Sequence, residues 1–182
     1  MFCFQCQETA KNQGCTVKGV CGKPEETADL QDLLIYVCKG ISVFGEALRD
    51  QGTIDRAAGH YICEALFTTI SNVAWDDDMI INRIKQGLAI REDLKKKAGS
   101  AVPGTLPDCA LWSAEKKEDF MAKALSDEVR ITAAPSEDVR SLKRLNPVPL
   151  GALWSWPGAT GVRSPGVISQ RWPKICPKTR SF

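Results

Sequence analysis

Residues 25–52 read EETADLQDLLIYVCKGISVFGEALRDQG, and this segment has the pattern of one long amphipathic helix. Two glutamates at its start suit the positive end of a helix dipole, and Gly52 is typical of a helix end. Between them, apolar residues recur at spacings of three and four: Leu30, Leu33, Leu34, Val37, Ile41, Phe44 and Leu48. A helix with one apolar stripe must bury it against another element, so we expect partner helices.

Two such partners follow directly along the chain. A second helix is predicted from about residue 54 to residue 73, with an apolar side of its own. A third begins after the acidic run 76–78 and ends in the basic run 95–97 before Gly99, which suits the helix dipole at both ends. Because the connections are short, residues 25–97 are predicted to form an antiparallel three-helix bundle in a mainly α protein.

The next segment, residues 98–145, is predicted to hold a connector and the start of a second helical bundle. A weaker helix is expected near residues 114–126, and a new helix start at Pro135. After Pro135, the acidic pair 137–138 precedes two leucines at the same offsets as in the first helix. This short repeat is the basis for predicting a second, related bundle.

Residues 146–182 differ in composition from everything before them. They contain no Asp or Glu, six of the ten prolines and three of the five tryptophans. The prolines stop the helix just begun, and no apolar period persists, so an irregular tail is predicted. We interpret it as the product of a shifted reading frame or a truncated gene; a disordered segment or a Trp-rich binding tail are the alternatives.

Bulk composition excludes several classes of function. The 182 residues carry a net charge of +2, which gives no reason to expect nucleic acid or an anionic membrane as partner. There is no apolar run long enough to cross a membrane and no secretory signal pattern, so a cytoplasmic location is expected. In a reducing compartment, eight cysteines in one chain more often indicate metal or redox chemistry than disulfides.

Half of those cysteines lie in residues 1–24, a glycine-containing loop. They are Cys3, Cys6, Cys15 and Cys21, with the spacing C-x2-C-x8-C-x5-C. Four thiolates suit either an iron–sulfur cluster or a tetrahedral zinc ion. Phe2 and Phe4 are expected to exclude water, and the neighbouring glycines to let backbone N–H groups approach sulfide, which favours iron–sulfur. Structural zinc and metal-free thiols stay open.

The other candidate residues have simpler interpretations. Cys38, Cys63 and Cys109 are expected to be inert thiols, the first two in amphipathic helices and the third in a loop. His60, the one histidine, is expected to face solvent or cap a helix. Lys18 and Lys23 lie near the predicted ligands, and we expect them either to raise the potential of a cluster or to be ordinary surface lysines.

Three segments together resemble one known family. Residues 1–41, MFCFQCQETAKNQGCTVKGVCGKPEETADLQDLLIYVCKGI, are similar to the start of the hybrid cluster proteins, also called prismane proteins or hydroxylamine reductases. Residues 64–78, EALFTTISNVAWDDD, and residues 136–142, SEDVRSL, resemble the same family. The resemblance covers roughly residues 1–145 and ends there.

This resemblance implies a cofactor and a reaction. It assigns Cys3, Cys6, Cys15 and Cys21 to a [4Fe–4S] cluster, since the short spacing resembles that variant rather than the [2Fe–2S] one. It also implies a helical N-terminal domain of two three-helix bundles. The family reduces hydroxylamine or related nitrogen species to ammonia, with this cluster as the relay from an external electron donor.

The resemblance also indicates what this chain lacks. The family's hybrid Fe–S–O centre takes a His, Glu residues and several Cys from later domains, and no such motif occurs here; His60 and Cys176 match none of those ligands. No catalytic residue is therefore predicted, and the chain alone is expected to be inactive. The alternatives are a small iron–sulfur electron-transfer or interaction module, and a zinc-stabilised helical protein.

Overall fold

The structure, a computed structural model, describes residues 1–6, 8–71, 75–102, 104–133, 136 and 138. It confirms a mainly α protein with a cysteine-rich N-terminal loop. The helices are α1 (Glu25–Asp50), α2 (Arg56–Ile70), α3 (Asp77–Ala98), α4 (Asp108–Leu111) and α5 (Lys117–Ala124), with single 3-10 turns at Ala10–Asn12, Gly99–Ala101 and Ile131–Ala133. Within the described ranges, extended pairing is limited to one isolated bridge in the N-terminal loop.

The helix ends lie where local sequence signals predict them. Gly52 and Gly99 follow α1 and α3 with φ of 79° and 52°, a left-handed backbone that glycine adopts without a Cβ clash. Asp55 caps α2 by accepting a backbone N–H from its first turn at 3.0 Å. Asp76 does the same for α3, accepting two N–H groups at 3.0 and 3.1 Å. Helix α2 is shorter than predicted, beginning at Arg56 and ending at Ile70.

Two contacts fix the relative directions of the three long helices. The Thr27 hydroxyl donates to the Asp77 carboxylate at 2.7 Å, so α1 and α3 begin at the same end. Lys97 donates to Asp55 at 2.8 Å, so α3 ends where α2 begins. Helix α2 therefore runs antiparallel to both neighbours, in an up–down–up arrangement.

Helix α1 is the central helix of the core. Helices α2, α3, α4 and α5 all pack against it. The apolar stripe predicted from the sequence is the buried face, and every member is at most 4% exposed: Leu30, Leu33, Leu34, Val37, Ile41, Phe44 and Leu48. Full burial of one such side chain contributes roughly 1.5–3 kcal/mol, so this face is the largest apolar contribution of any single helix.

The segment after α3 packs back onto α1. The short helix α4 was not predicted, and it is held by the fully buried Arg91, whose Nη1 donates to the Cys109 carbonyl at 3.0 Å. The weaker helix predicted near residues 114–126 is α5, and its Phe120 and Ala124 complete the core. The second bundle predicted from Pro135 and the tail at 146–182 lie almost wholly outside the described residues, so both stay predictions.

None of the helices in the described part of the chain combines the length and the apolarity that a membrane-spanning segment needs.

Candidate metal centre

The cysteine loop, residues 1–24, lies over the end of the bundle where α1 begins and α2 ends. The amino group of Met1 forms an ion pair with Glu25 in the first turn of α1. Lys23 reaches the other helix and donates to the carbonyl of Thr69, in the last turn of α2, at 3.2 Å. The loop is therefore attached to two different helix ends.

Cys3 and Cys15 are brought directly opposite one another. Each backbone N–H donates to the other residue's carbonyl at 2.9 Å, which makes an isolated antiparallel bridge. Residues paired in this way hold their Cβ atoms about 4.5–5.5 Å apart on the same face. The two side chains are 8% and 5% exposed, and they pack with Met1 and Ala28 in a small second core.

Cys6 and Cys21 are half-buried and lie in a bend and in a turn of the loop. The Cys6 carbonyl accepts the backbone N–H of Thr9 at 3.3 Å. The sulfur of Cys21 lies 3.1 Å from the point where a Cβ on Gly19 would be. A side chain at Gly19 would therefore press on that sulfur.

Lys23 is not an ordinary surface lysine, because it is only 1% exposed. Its Nζ lies 3.7 Å from the sulfur of Cys3 and also donates to Thr69. In the described ranges no Asp or Glu carboxylate forms an ion pair with it. Lys18 is exposed, so the surface-lysine interpretation is confirmed for Lys18 and is wrong for Lys23.

The loop glycines and phenylalanines act differently from the prediction. The N–H groups of Gly19 and Gly22 donate to carbonyls of the loop itself at 2.9 and 2.8 Å. Both N–H groups therefore stabilise turns of the loop. Phe2 packs over Gly14, where an added Cβ would come within 2.4 Å of the ring. Phe4 is 41% exposed and so excludes little water.

The four sulfurs do not form a ready-made site for a single ion. Among the residues that the structure describes, no three His, Cys, Asp or Glu side chains come together to hold a metal ion. A tetrahedral zinc ion with bonds of about 2.3 Å requires sulfurs only about 3.8 Å apart. A four-iron cube needs a wider spread, for which we expect Cβ atoms about 6–8 Å apart. The described side chains thus show neither a preformed zinc site nor a preformed cluster site, and both interpretations stay predictions.

Comparison with known proteins decides the family. The family model of the prismane/CO dehydrogenase proteins matches residues 1–161, which is most of the chain. The chain belongs to the prismane/CO dehydrogenase family. The resemblance noted in the sequence is confirmed, and the match continues past residue 145, where that resemblance was expected to end.

Three similar relatives are each named hydroxylamine reductase. The protein of Desulfosudis oleivorans is 74% identical over 145 residues, which cover 80% of this chain and 26% of the relative. The proteins of Nitratidesulfovibrio vulgaris and Methanocaldococcus jannaschii are 50% and 49% identical, over 80% of this chain and 27% and 26% of their own lengths. This chain therefore spans about a quarter of the length of the curated relatives it matches.

Within the described residues, the thiols outside the cysteine loop are free and at least partly buried, and Cys109 lies in α4 rather than in the predicted loop. Cys38 is fully buried, and burial raises the pKa of its thiol to about 12, so it stays protonated at neutral pH. Burial also raises the pKa of Cys63 and of Cys109. His60 is exposed and lies 3.4 Å from Glu64 one turn along α2, so the solvent-facing interpretation is confirmed.

Two features near α4 were not found from the sequence. Tyr36 donates to Asp108, and its burial together with that carboxylate raises the pKa of its hydroxyl. Lys123 also binds Asp108 at 2.6 Å and lies over the Tyr36 and Trp112 rings, 5.3 and 5.9 Å from their centres. These contacts fasten α4 and α5 to α1. Pro107 before Asp108 was the available signal for a helix start.

Proposed function

We propose that Cys3, Cys6, Cys15 and Cys21 bind a [4Fe–4S] cluster. The observation that carries this proposal is the buried bridge that sets Cys3 opposite Cys15, with both sulfurs in one small core. The prismane family membership and the compact spacing of the four cysteines support it further. When bound, such a cluster supplies one-electron transfer.

The residues of the loop fit such a group. All four cysteines are free thiols, and soft thiolate ligands suit iron–sulfur clusters. The N-terminal loop buries the positive charge of Lys23 beside the Cys3 sulfur, and no carboxylate of the described residues pairs with it. A negatively charged group at the cysteines would balance that charge.

We further propose that the whole protein reduces hydroxylamine, as the names of its relatives indicate. The balanced reaction adds two electrons and two protons to NH2OH and gives NH3 and H2O. Related nitrogen oxides are alternative substrates. In this proposal the cysteine loop holds the relay for electrons from an external redox protein, in the cytoplasm.

The catalytic step is not assigned to this chain. The His, Glu and Cys ligands that the family resemblance gives to the hybrid Fe–S–O centre have no counterpart among its motifs. We therefore propose that these residues form the relay part of an N-terminal fragment, and that the chain has no reductase activity alone.

The test is a metal and sulfide analysis of the 182-residue chain purified without oxygen. We expect about four iron and four sulfide per chain with a broad visible band, because a cube contains four of each. Replacing Cys3, Cys6, Cys15 or Cys21 singly by Ser is expected to remove most of both.

Cys63→Ala is the matched control, since Cys63 lies in α2 outside the loop and should leave the iron content unchanged. A colourless chain with one zinc would support the zinc-stabilised alternative and contradict the proposal. Two irons per chain would contradict the four-iron assignment but would agree with an electron-relay role for the cysteine loop.

A further inference from the structure

Lys23 has an unusual environment for a lysine. Its side chain is 1% exposed, and the partners of its Nζ are the Cys3 sulfur at 3.7 Å and the Thr69 carbonyl at 3.2 Å. The nearby Glu25 is already paired with the amino group of Met1. In the part of the chain that the structure describes, the ammonium thus has two partners and neither is a carboxylate.

A buried ammonium needs a negative partner nearby, because removal from water is costly unless Coulomb attraction compensates it. The Thr69 carbonyl lies at the C-terminal end of α2, where the helix dipole is negative, and it supplies part of this attraction. The remaining contact is the sulfur of Cys3. A thiolate bonded to an iron–sulfur cluster is negatively charged, whereas a free thiol is neutral.

We propose that Lys23 is the internal counter-charge of the cluster and positions the loop for it. This inference rests on the proposed cluster at the four cysteines. Lys23 holds its positive charge at the Cys3 sulfur and, through Thr69, fixes that sulfur relative to the end of α2. One-electron reduction makes the cluster more negative, so the nearby ammonium favours the reduced state and raises the reduction potential.

The experiment compares three variants of the full chain purified without oxygen. Lys23→Met removes the charge and keeps an unbranched side chain that is one heavy atom shorter. Lys23→Arg keeps the charge, and Lys18→Met removes a charge from an exposed site in the same loop. Iron and sulfide content, the midpoint potential in a titration with dithionite, and thermal unfolding of the cluster-free chain are measured for each.

In the loaded protein, we expect Lys23→Met to lower the equilibrium constant for reduction about tenfold, or about 59 mV for one electron. Lys23→Arg is expected to restore most of the potential, and Lys18→Met to leave it unchanged, because solvent screens an exposed charge. An unchanged potential in Lys23→Met, or an equal shift in Lys18→Met, overturns the proposal.

The cluster-free chain gives a second, independent measurement. There Lys23 is a buried charge with no carboxylate partner among the described residues, so Lys23→Met is expected to raise the unfolding temperature. A purely structural lysine would give the opposite result, and a lower unfolding temperature therefore overturns the proposal. Absence of iron and sulfide from the wild-type chain would instead contradict the proposed function, and the unfolding measurement would still test Lys23.

Discussion

Two buried cations of this protein are stabilised in different ways. Arg91 is fully buried, and its guanidinium donates to the carbonyls of Cys109 and Trp112 and pairs with Glu92 at 2.9 Å. The planar fork of arginine can serve several acceptors at once. Lys23 has a carbonyl and a sulfur instead. The first arrangement is complete in the folded chain, whereas we propose that the second gains its negative partner from a cluster at the four cysteines.

Gly40 in α1 carries a hydrogen atom in place of a side chain, and this lets α4 pack closely against α1. An added Cβ there would lie 2.1 Å from the backbone oxygen of Cys109 in α4. Because a backbone atom cannot move without displacing α4, we expect Gly40→Ala to lower the free energy of unfolding by about 1–3 kcal/mol, measured by urea denaturation.

Gly45 provides the control for that measurement. It lies in the same helix, and an added Cβ there meets nothing within 4 Å. Gly45→Ala is expected to raise the free energy of unfolding by about 0.5–1 kcal/mol, since alanine is the better helix former. Equal effects of the two substitutions would contradict the close approach of α4 to α1.

At the scale of elements, the start of α2 is fastened to the end of α3. Asp55 accepts from Lys97 at 2.8 Å and caps α2 with the same carboxylate. The hydrogen bond from Lys97, followed by that from the Ala58 N–H, holds the pKa of Asp55 below its usual value of 3.8. This one side chain therefore links two helices in a charge-dependent way.

The lowered pKa of Asp55 predicts the direction of a pH effect. The stabilisation is complete above the usual pKa of 3.8 and is lost as the pH falls through the lower pKa of the folded state. Asp55→Asn keeps the cap and removes the charge, so it should lower the free energy of unfolding by about 0.5–1 kcal/mol at pH 7. The difference in the free energy of unfolding between the two proteins should shrink as the pH falls below 3.8; a difference that stays constant over that acid range would contradict this.

Elements with strong periodicity were predictable, and short ones were not. The apolar stripe of α1 and the charged ends of α3 are properties of consecutive residues, and they identified both helices. Helix α4 has four residues and no period to detect. It forms because Arg91, on α3, supplies partners for its carbonyls, and that contact joins residues 18 positions apart.

At the scale of the whole molecule, we predict that the 182-residue chain does not turn over hydroxylamine. It spans about a quarter of the relatives that carry the name hydroxylamine reductase, and the hybrid-centre ligands have no match in its motifs. The measurement is ammonia formation with reduced dye as electron source. Ammonia formed by the purified chain faster than by the Cys15→Ser variant would refute the prediction.

The sequence by itself determined the helical class, the ends of α1 and α3 and the four-cysteine spacing. These are local properties, encoded by period, capping residues and composition within a few positions. The tertiary structure decided that Cys3 lies opposite Cys15, that Lys23 is buried beside Cys3 and that Gly40 contacts α4. Lys23 and Thr69 are 46 positions apart, and which residues meet at that distance depends on how the helices pack. Packing buries the charge of Lys23, whereas Lys18 in the same loop is exposed.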